Sequence, residues 1–274
     1  MPALSPSAAI EWIARRERVV VLVGLGVTVA LAWAWLLAGG GMNMGGGRTG
    51  APMNMPGMDM PDMAGGRGGS EVWGGAVVVF AMWTVMMIAM MLPSAAPTIL
   101  MFAALSRARV STTAFPPVTA FAAGYVLVWT AFSAVATIAH LTLRQAALVS
   151  PTLRTTSGVL AALLLIAAGI YQFTPVKAAC LRHCRSPIQF FTRYWRRGTA
   201  GALRLGVLHG GYCVGCCWVL MGLLFVGGVM NLWWIAAMAA FILVEKIAFL
   251  GASGGRIASG AGLVVAGAVV LALR

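Results

Sequence analysis

Residues 19–38 read VVVLVGLGVTVALAWAWLLA, without one charged side chain. A helix that crosses a bilayer needs about 20 apolar residues, and this run supplies them. Arg15, Arg16 and Arg18 precede it, and the run exceeds the roughly 7–15 apolar residues of a signal-peptide core, so it reads as an uncleaved first span. Comparable runs follow at approximately 72–92 (closed by Pro93), 116–139, 157–173, 202–226, 231–250 and 258–273, the last short and rich in Gly and Ala. The fold class expected is all-α, a polytopic transmembrane helix bundle of about seven spans, six if the last run does not cross. With 61% hydrophobic and 9% charged residues and a mean hydropathy of +0.91, the chain is far more apolar than a soluble domain, where about 45–50% is usual.

The formal charge of +13 would suggest nucleic acid if it formed a folded basic face. It does not, because the Lys and Arg residues lie in short connections. Arg15, Arg16 and Arg18, then Arg107 and Arg109, then Lys177, Arg182, Arg185, Arg193, Arg196, Arg197 and Arg204 all fall on one side of the expected bundle. By the positive-inside rule that side is cytoplasmic. Arg144 and Arg154 are exceptions. The expected organisation is a cytoplasmic N-terminal segment with the first span over 1–38, a Met/Gly/Pro-rich periplasmic loop over 39–71, and a metal-binding helix bundle over 72–274, in the inner membrane of a bacterium. No internal repeat supports an inverted-repeat transporter.

Five cysteines all lie in the second half, an odd count that suits metal ligation or thiol chemistry better than a disulfide framework. The strongest constellation is LHGGYCVGCCW (208–218), with His209, Cys213, Cys216 and Cys217 at i, i+4, i+7 and i+8. At about 100° per residue the first three fall within roughly 60° of one another and Cys217 within about 80° of His209. Thiolate and imidazole suit Cu(I), with Zn(II) as the alternative, and suit hard cations poorly. Gly210, Gly211 and Gly215 leave room for another helix. Buried cysteines also serve as small packing residues, which is the plain reading of the same pattern.

In CLRHC (180–184), Cys180 and Cys184 stand at i, i+4 with His183 beside them. This pair either completes the buried cluster or forms a cytoplasmic exchange site; incidental thiols in a basic turn are the plain alternative. YQFTPVKAACLRHCRSP (171–187), GVLHGGYCVGCCWVLM (206–221), GGVMNLWW (227–234), Glu245-Lys246, MWTVMMIAMMLPS (82–94) and GYVLVW (124–129) together resemble a bacterial domain-of-unknown-function family described as predicted metal-binding integral membrane proteins. The resemblance covers about residues 72–256. It implies a membrane helix bundle that binds metal, and no established reaction.

Methionine is the third signal. Met42, Met44, Met53, Met55, Met58, Met60 and Met63 punctuate the external loop as MxM and MxxM, and Met82, Met86 and Met90 continue at i, i+4, i+8 on the second span, with Met87 and Met91 on an adjoining face. Thioethers are soft, uncharged ligands that suit Cu(I); helical methionines also serve as adaptable packing. Glu245 and Lys246 interrupt the sixth span, where charge is costly. Adjacent residues do not face each other, so Lys246 is expected to snorkel to the cytoplasmic surface while Glu245 points inward, at the metal cluster, at Arg204, or into an ion pair.

These observations predict a membrane protein that binds a soft metal, copper before zinc, in uptake, transfer or metalloprotein assembly. Its partners would be the lipid bilayer, the ion, and a periplasmic copper-binding protein or a membrane metalloprotein. No Walker motif supports ATP-driven pumping, and binding rather than catalysis is expected. The alternative is a thiol/quinone redox enzyme using Cys213 and Cys216 as a CxxC, although Cys213 would lie about 16 Å into its span. Haem held by His209 with His140 or a methionine is a third class, without a CxxCH to support it, and a structural subunit of a larger complex is a fourth.

Overall fold

The computed structural model describes residues 6–38, 69–109, 115–148, 155, 157–247 and 254–273. Among the described residues the chain is helical throughout, without a strand: α1 Pro6–Leu37, α2 Gly69–Arg109, α3 Phe115–Gln145, α4 Gly158–Phe173, α5 Pro175–Arg185, α6 Pro187–Tyr194, α7 Gly198–Gly222, α8 Leu224–Gly227, α9 Leu232–Ile247 and α10 Gly254–Ala272. Five helices are long and apolar enough to cross a membrane, those containing Val19–Leu37, Gly75–Arg107, Pro117–Gln145, Gly198–Gly227 and Gly254–Ala272; α4 and α5, bent by 67°, make a sixth if they count as one span. The all-α reading stands, and the described residues offer five or six candidate spans where about seven were expected. α9 has 16 residues, short of the roughly 20 a span requires, and the end expected for it at 248–250 lies outside the described residues.

The second helix does not stop at Pro93. It runs through Pro93 and Pro97 to Arg109. Each proline deletes one backbone donor, a loss that a bundle tolerates when neighbouring side chains supply other donors. The carbonyls left without their usual donors are those of Ala89 and Pro93; between them, Ser94 Oγ donates to the Met91 carbonyl at 2.8 Å and Tyr125 Oη, from α3, donates to the same oxygen at 3.0 Å, which ties this stretch of α2 to α3.

The break between α4 and α5 is written locally. Thr174 is extended, its side chain accepts the Lys177 backbone N–H at 3.3 Å, and Pro175 occupies the first helical turn, where its missing N–H has no partner to lose. α5 therefore starts in a new direction and folds back against α7. Among the described helices α3 and α7 share the most extensive contact, and glycine lets their backbones approach. A Cβ at Gly206 would collide with the Phe121 carbonyl, and one at Gly210 would stand 2.9 Å from Val128 Cβ, whereas Gly211 meets nothing within 4 Å. Of the three glycines expected to admit a helix, Gly210 receives α3, Gly215 receives Cys180 of α5, and Gly211 faces open space.

The core is apolar, and much of the outer surface is apolar as well, while a few polar groups are held inside. Val23, Leu31, Leu127, Val135 and Ile138 are exposed, while Lys177, His140, Gln172 and His209 are buried. An outer surface of this kind matches an apolar solvent.

A candidate thiol site between α5, α7 and α9

α7 carries His209, Cys213, Cys216 and Cys217, all buried. Cys213 is the hub. Its sulfur lies 3.1 Å from Tyr125 Oη and receives a hydrogen bond from Lys246 Nζ at 3.0 Å; the same ammonium donates to Ser94 Oγ at 2.8 Å. Cys216 and Cys217 turn back along the helix and donate to the Cys213 carbonyl at 3.1 and 2.9 Å. Cys184 of α5 stands beside the group, near enough to interact with both Cys213 and Cys216. All five cysteines are free thiols.

Sequence spacing placed His209 on the same face, but its ring lies in an aromatic box of Phe121, Tyr125 and Phe190, with centroids 6.0, 5.7 and 5.6 Å away. Its Nδ1 is buried without a hydrogen-bond partner. Among the described residues no three His, Cys, Asp or Glu side chains are arranged to hold one metal ion, since the thiols are turned toward one another and toward a carbonyl. Cys180 sits one turn away, half-buried, its sulfur 2.7 Å from where a Cβ at Gly215 would stand. Tyr171 of α4 donates to the Gly215 carbonyl, so α4 and α5 both converge on this residue.

Of the charged pair in α9, Glu245 takes the ion-pair alternative and Lys246 does not snorkel to the surface as expected. Lys246 points inward at Cys213, and Glu245 turns to Lys177 of α5, with Oε2 3.0 Å from Nζ and both side chains buried. Arg185 donates to the Glu245 backbone carbonyl. Neighbouring positions differ by about 100°, so the rotation of α9 decides which one faces the thiols, and an apolar helix says little about its own rotation. Lys246 and Tyr125 are contacts of Cys213 that sequence spacing missed, as is Ser94, which accepts from Lys246. The signal available for Lys246 was its position in an apolar run, where an ionisable group requires a partner.

Met82, Met86 and Met90 are buried in α2, followed by Met91, whose carbonyl accepts from Tyr125, and Ser94, which accepts from Lys246. Met53, Met55, Met58 and Met60 lie outside the described residues. His140 accepts a hydrogen bond from Trp83 Nε1 at 3.2 Å and packs against Phe225. It stands 15 residues from Tyr125 on α3, about 22 Å by helical rise, so it does not pair with His209 around a haem.

The model of the PpoB2 family, copper chaperones, matches residues 80–270. The chain belongs to that family. No curated protein and no solved structure matches it. Membership of the PpoB2 family gives the soft-donor cluster a copper context, where the resemblance of its motifs implied an unspecified metal, and the matched residues include every cysteine of the chain.

Proposed function

We propose that the protein is an integral membrane carrier of Cu(I) in the bacterial inner membrane, with its N-terminus in the cytoplasm, and that it holds the ion on Cys184, Cys213 and Cys216. The observation that carries this reading is the approach of Cys184 on α5 to Cys213 and Cys216 on α7, which gathers thiols from two helices beside the buried Lys246 ammonium. Rotation of the three side chains away from their present hydrogen bonds turns their sulfurs to a common ion. Cys217 and the unpartnered Nδ1 of His209 are further donors at the edge of the same face. Thiolate sulfur prefers Cu(I), with Zn(II) the alternative cargo, and the Lys246 ammonium beside Cys213 offsets thiolate charge where water cannot.

The external side of the route is the Met-rich segment 39–71, which takes the ion from a periplasmic copper-binding protein. Met82, Met86 and Met90 then lead along α2 to Met91 and Ser94, and Ser94 contacts Lys246. A membrane metalloprotein is the recipient. The burial of Cys213 and Cys216 counts against thiol exchange with soluble proteins and hence against the quinone-linked redox alternative. X-ray absorption at the copper edge of Cu(I)-loaded protein tests the ligand set. Sulfur neighbours are expected, one fewer after Cys184→Ser; a shell of nitrogen and oxygen alone contradicts the proposal.

A further inference from the structure

His183 lies between Cys180 and Cys184 on α5. Its ring stacks on Tyr212 of α7, with centroids 4.1 Å apart and planes 3° from parallel, and its Nδ1 is 2.9 Å from the Ala179 carbonyl. A carbonyl oxygen only accepts, so Nδ1 carries the proton, and in the neutral ring Nε2 keeps its lone pair. Anchoring one ring nitrogen to a carbonyl while the other stays available is the usual preparation of a metal-ligating histidine. Tyr212 is held in turn by Tyr194, the two hydroxyls being 3.1 Å apart. Cys180 and His183 are at i, i+3, neighbours on one helix face. Both meet α7 within one turn, at Gly215 and Tyr212 respectively, and both are half-buried, unlike the thiols of Cys213, Cys216 and Cys217.

We infer that His183 Nε2 and the Cys180 sulfur form the transfer site, a two-ligand station that takes Cu(I) from the buried thiols and presents it to the recipient. The inference rests on the proposed Cu(I) carriage. The step is ligand exchange, and copper stays Cu(I) throughout. The bonds to Cys184, Cys213 and Cys216 break as those to Cys180 and His183 form; the Cys213 thiolate stays paired with the Lys246 ammonium, Cys184 and Cys216 regain one proton each, one from Cys180 and one from solvent, reversing their loss on loading, and His183 enters as a neutral donor that surrenders no proton at Nε2. Gly215 is part of the station because any side chain there would displace the Cys180 sulfur.

The test loads full-length protein with Cu(I) anaerobically and follows transfer to bathocuproine disulfonate, with bound copper measured beforehand. His183→Phe keeps a ring to stack on Tyr212 and removes both nitrogens. It is expected to retain wild-type copper content and release it about tenfold more slowly, the lower end of the range for disturbed metal ligation. Cys180→Ser is expected to match it, and the double variant to lose no more. A His183→Phe variant that releases copper at the wild-type rate shows a stacking role only and overturns the inference. One that purifies with less copper makes His183 a ligand of the store and overturns it too. Absence of bound copper in the wild type is a separate outcome, which contradicts the proposed function itself.

Discussion

Lys177 Nζ on α5 lies 3.0 Å from Glu245 Oε2 on α9, and neither side chain reaches the surface to any extent. The pair ties the helix that carries Cys184 to the helix that carries Lys246. Removing one partner of a buried pair strands the other charge, at a cost of about 3–5 kcal/mol, whereas replacing both with apolar groups is often neutral. Lys177→Met should therefore lower the thermal midpoint in detergent sharply, and Lys177→Met with Glu245→Leu should recover most of the loss. Equal midpoints for the single variant and the wild type would show that the pair does not join α5 to α9.

The closeness of α3 and α7 gives a prediction with an internal control. Gly206→Ala places a methyl on the Phe121 carbonyl and should destabilise by about 1–3 kcal/mol through overpacking. Gly211→Ala enters open space and should be neutral or gain up to about 1 kcal/mol from helix propensity. Thermal melts of the two variants decide it. A Gly206→Ala protein as stable as Gly211→Ala would mean that these helices are further apart.

These two cases mark what was legible in sequence. Long apolar runs specify helices because each must satisfy its own backbone, and the runs at 19–38, 116–139 and 202–226 correspond to α1, α3 and α7. Pro93 misled, because a proline inside a membrane helix removes one hydrogen bond without ending the helix, and α2 runs on to Arg109. The gathering of thiols on α7 followed from its spacing alone. The partner thiol was only one of two open readings for Cys184, since its arrival depends on the bend at Thr174 and Pro175. His209 shows the limit most clearly. Spacing put it beside Cys213, but rotamer and aromatic neighbours, which no periodicity encodes, turned its ring into a box of Phe121, Tyr125 and Phe190.

The methionines of the external segment are expected to capture Cu(I) unaided, since Met42 to Met63 hold seven thioethers as MxM and MxxM pairs. A peptide of residues 42–63 should compete with a Cu(I) chelator, and its all-Leu counterpart should not. Equal competition by both would reduce the segment to a linker.

The charge asymmetry predicts opposite sides for Gly50 and Arg193. Phosphatase and fluorescent-protein fusions at the two positions should give opposite signals, with phosphatase active at Gly50. The same signal at both would overturn the orientation and, with it, the direction of copper movement.

The central claim is that Cys213 and Cys216 hold the cargo. Protein purified anaerobically from copper-replete cells should carry a single tightly bound copper per chain. Cys213→Ser with Cys216→Ser, inserted and folded as the wild type by melting, should lose it, because the thiolate is the form that binds. Full copper content in the double variant, or none in the wild type, would contradict the account.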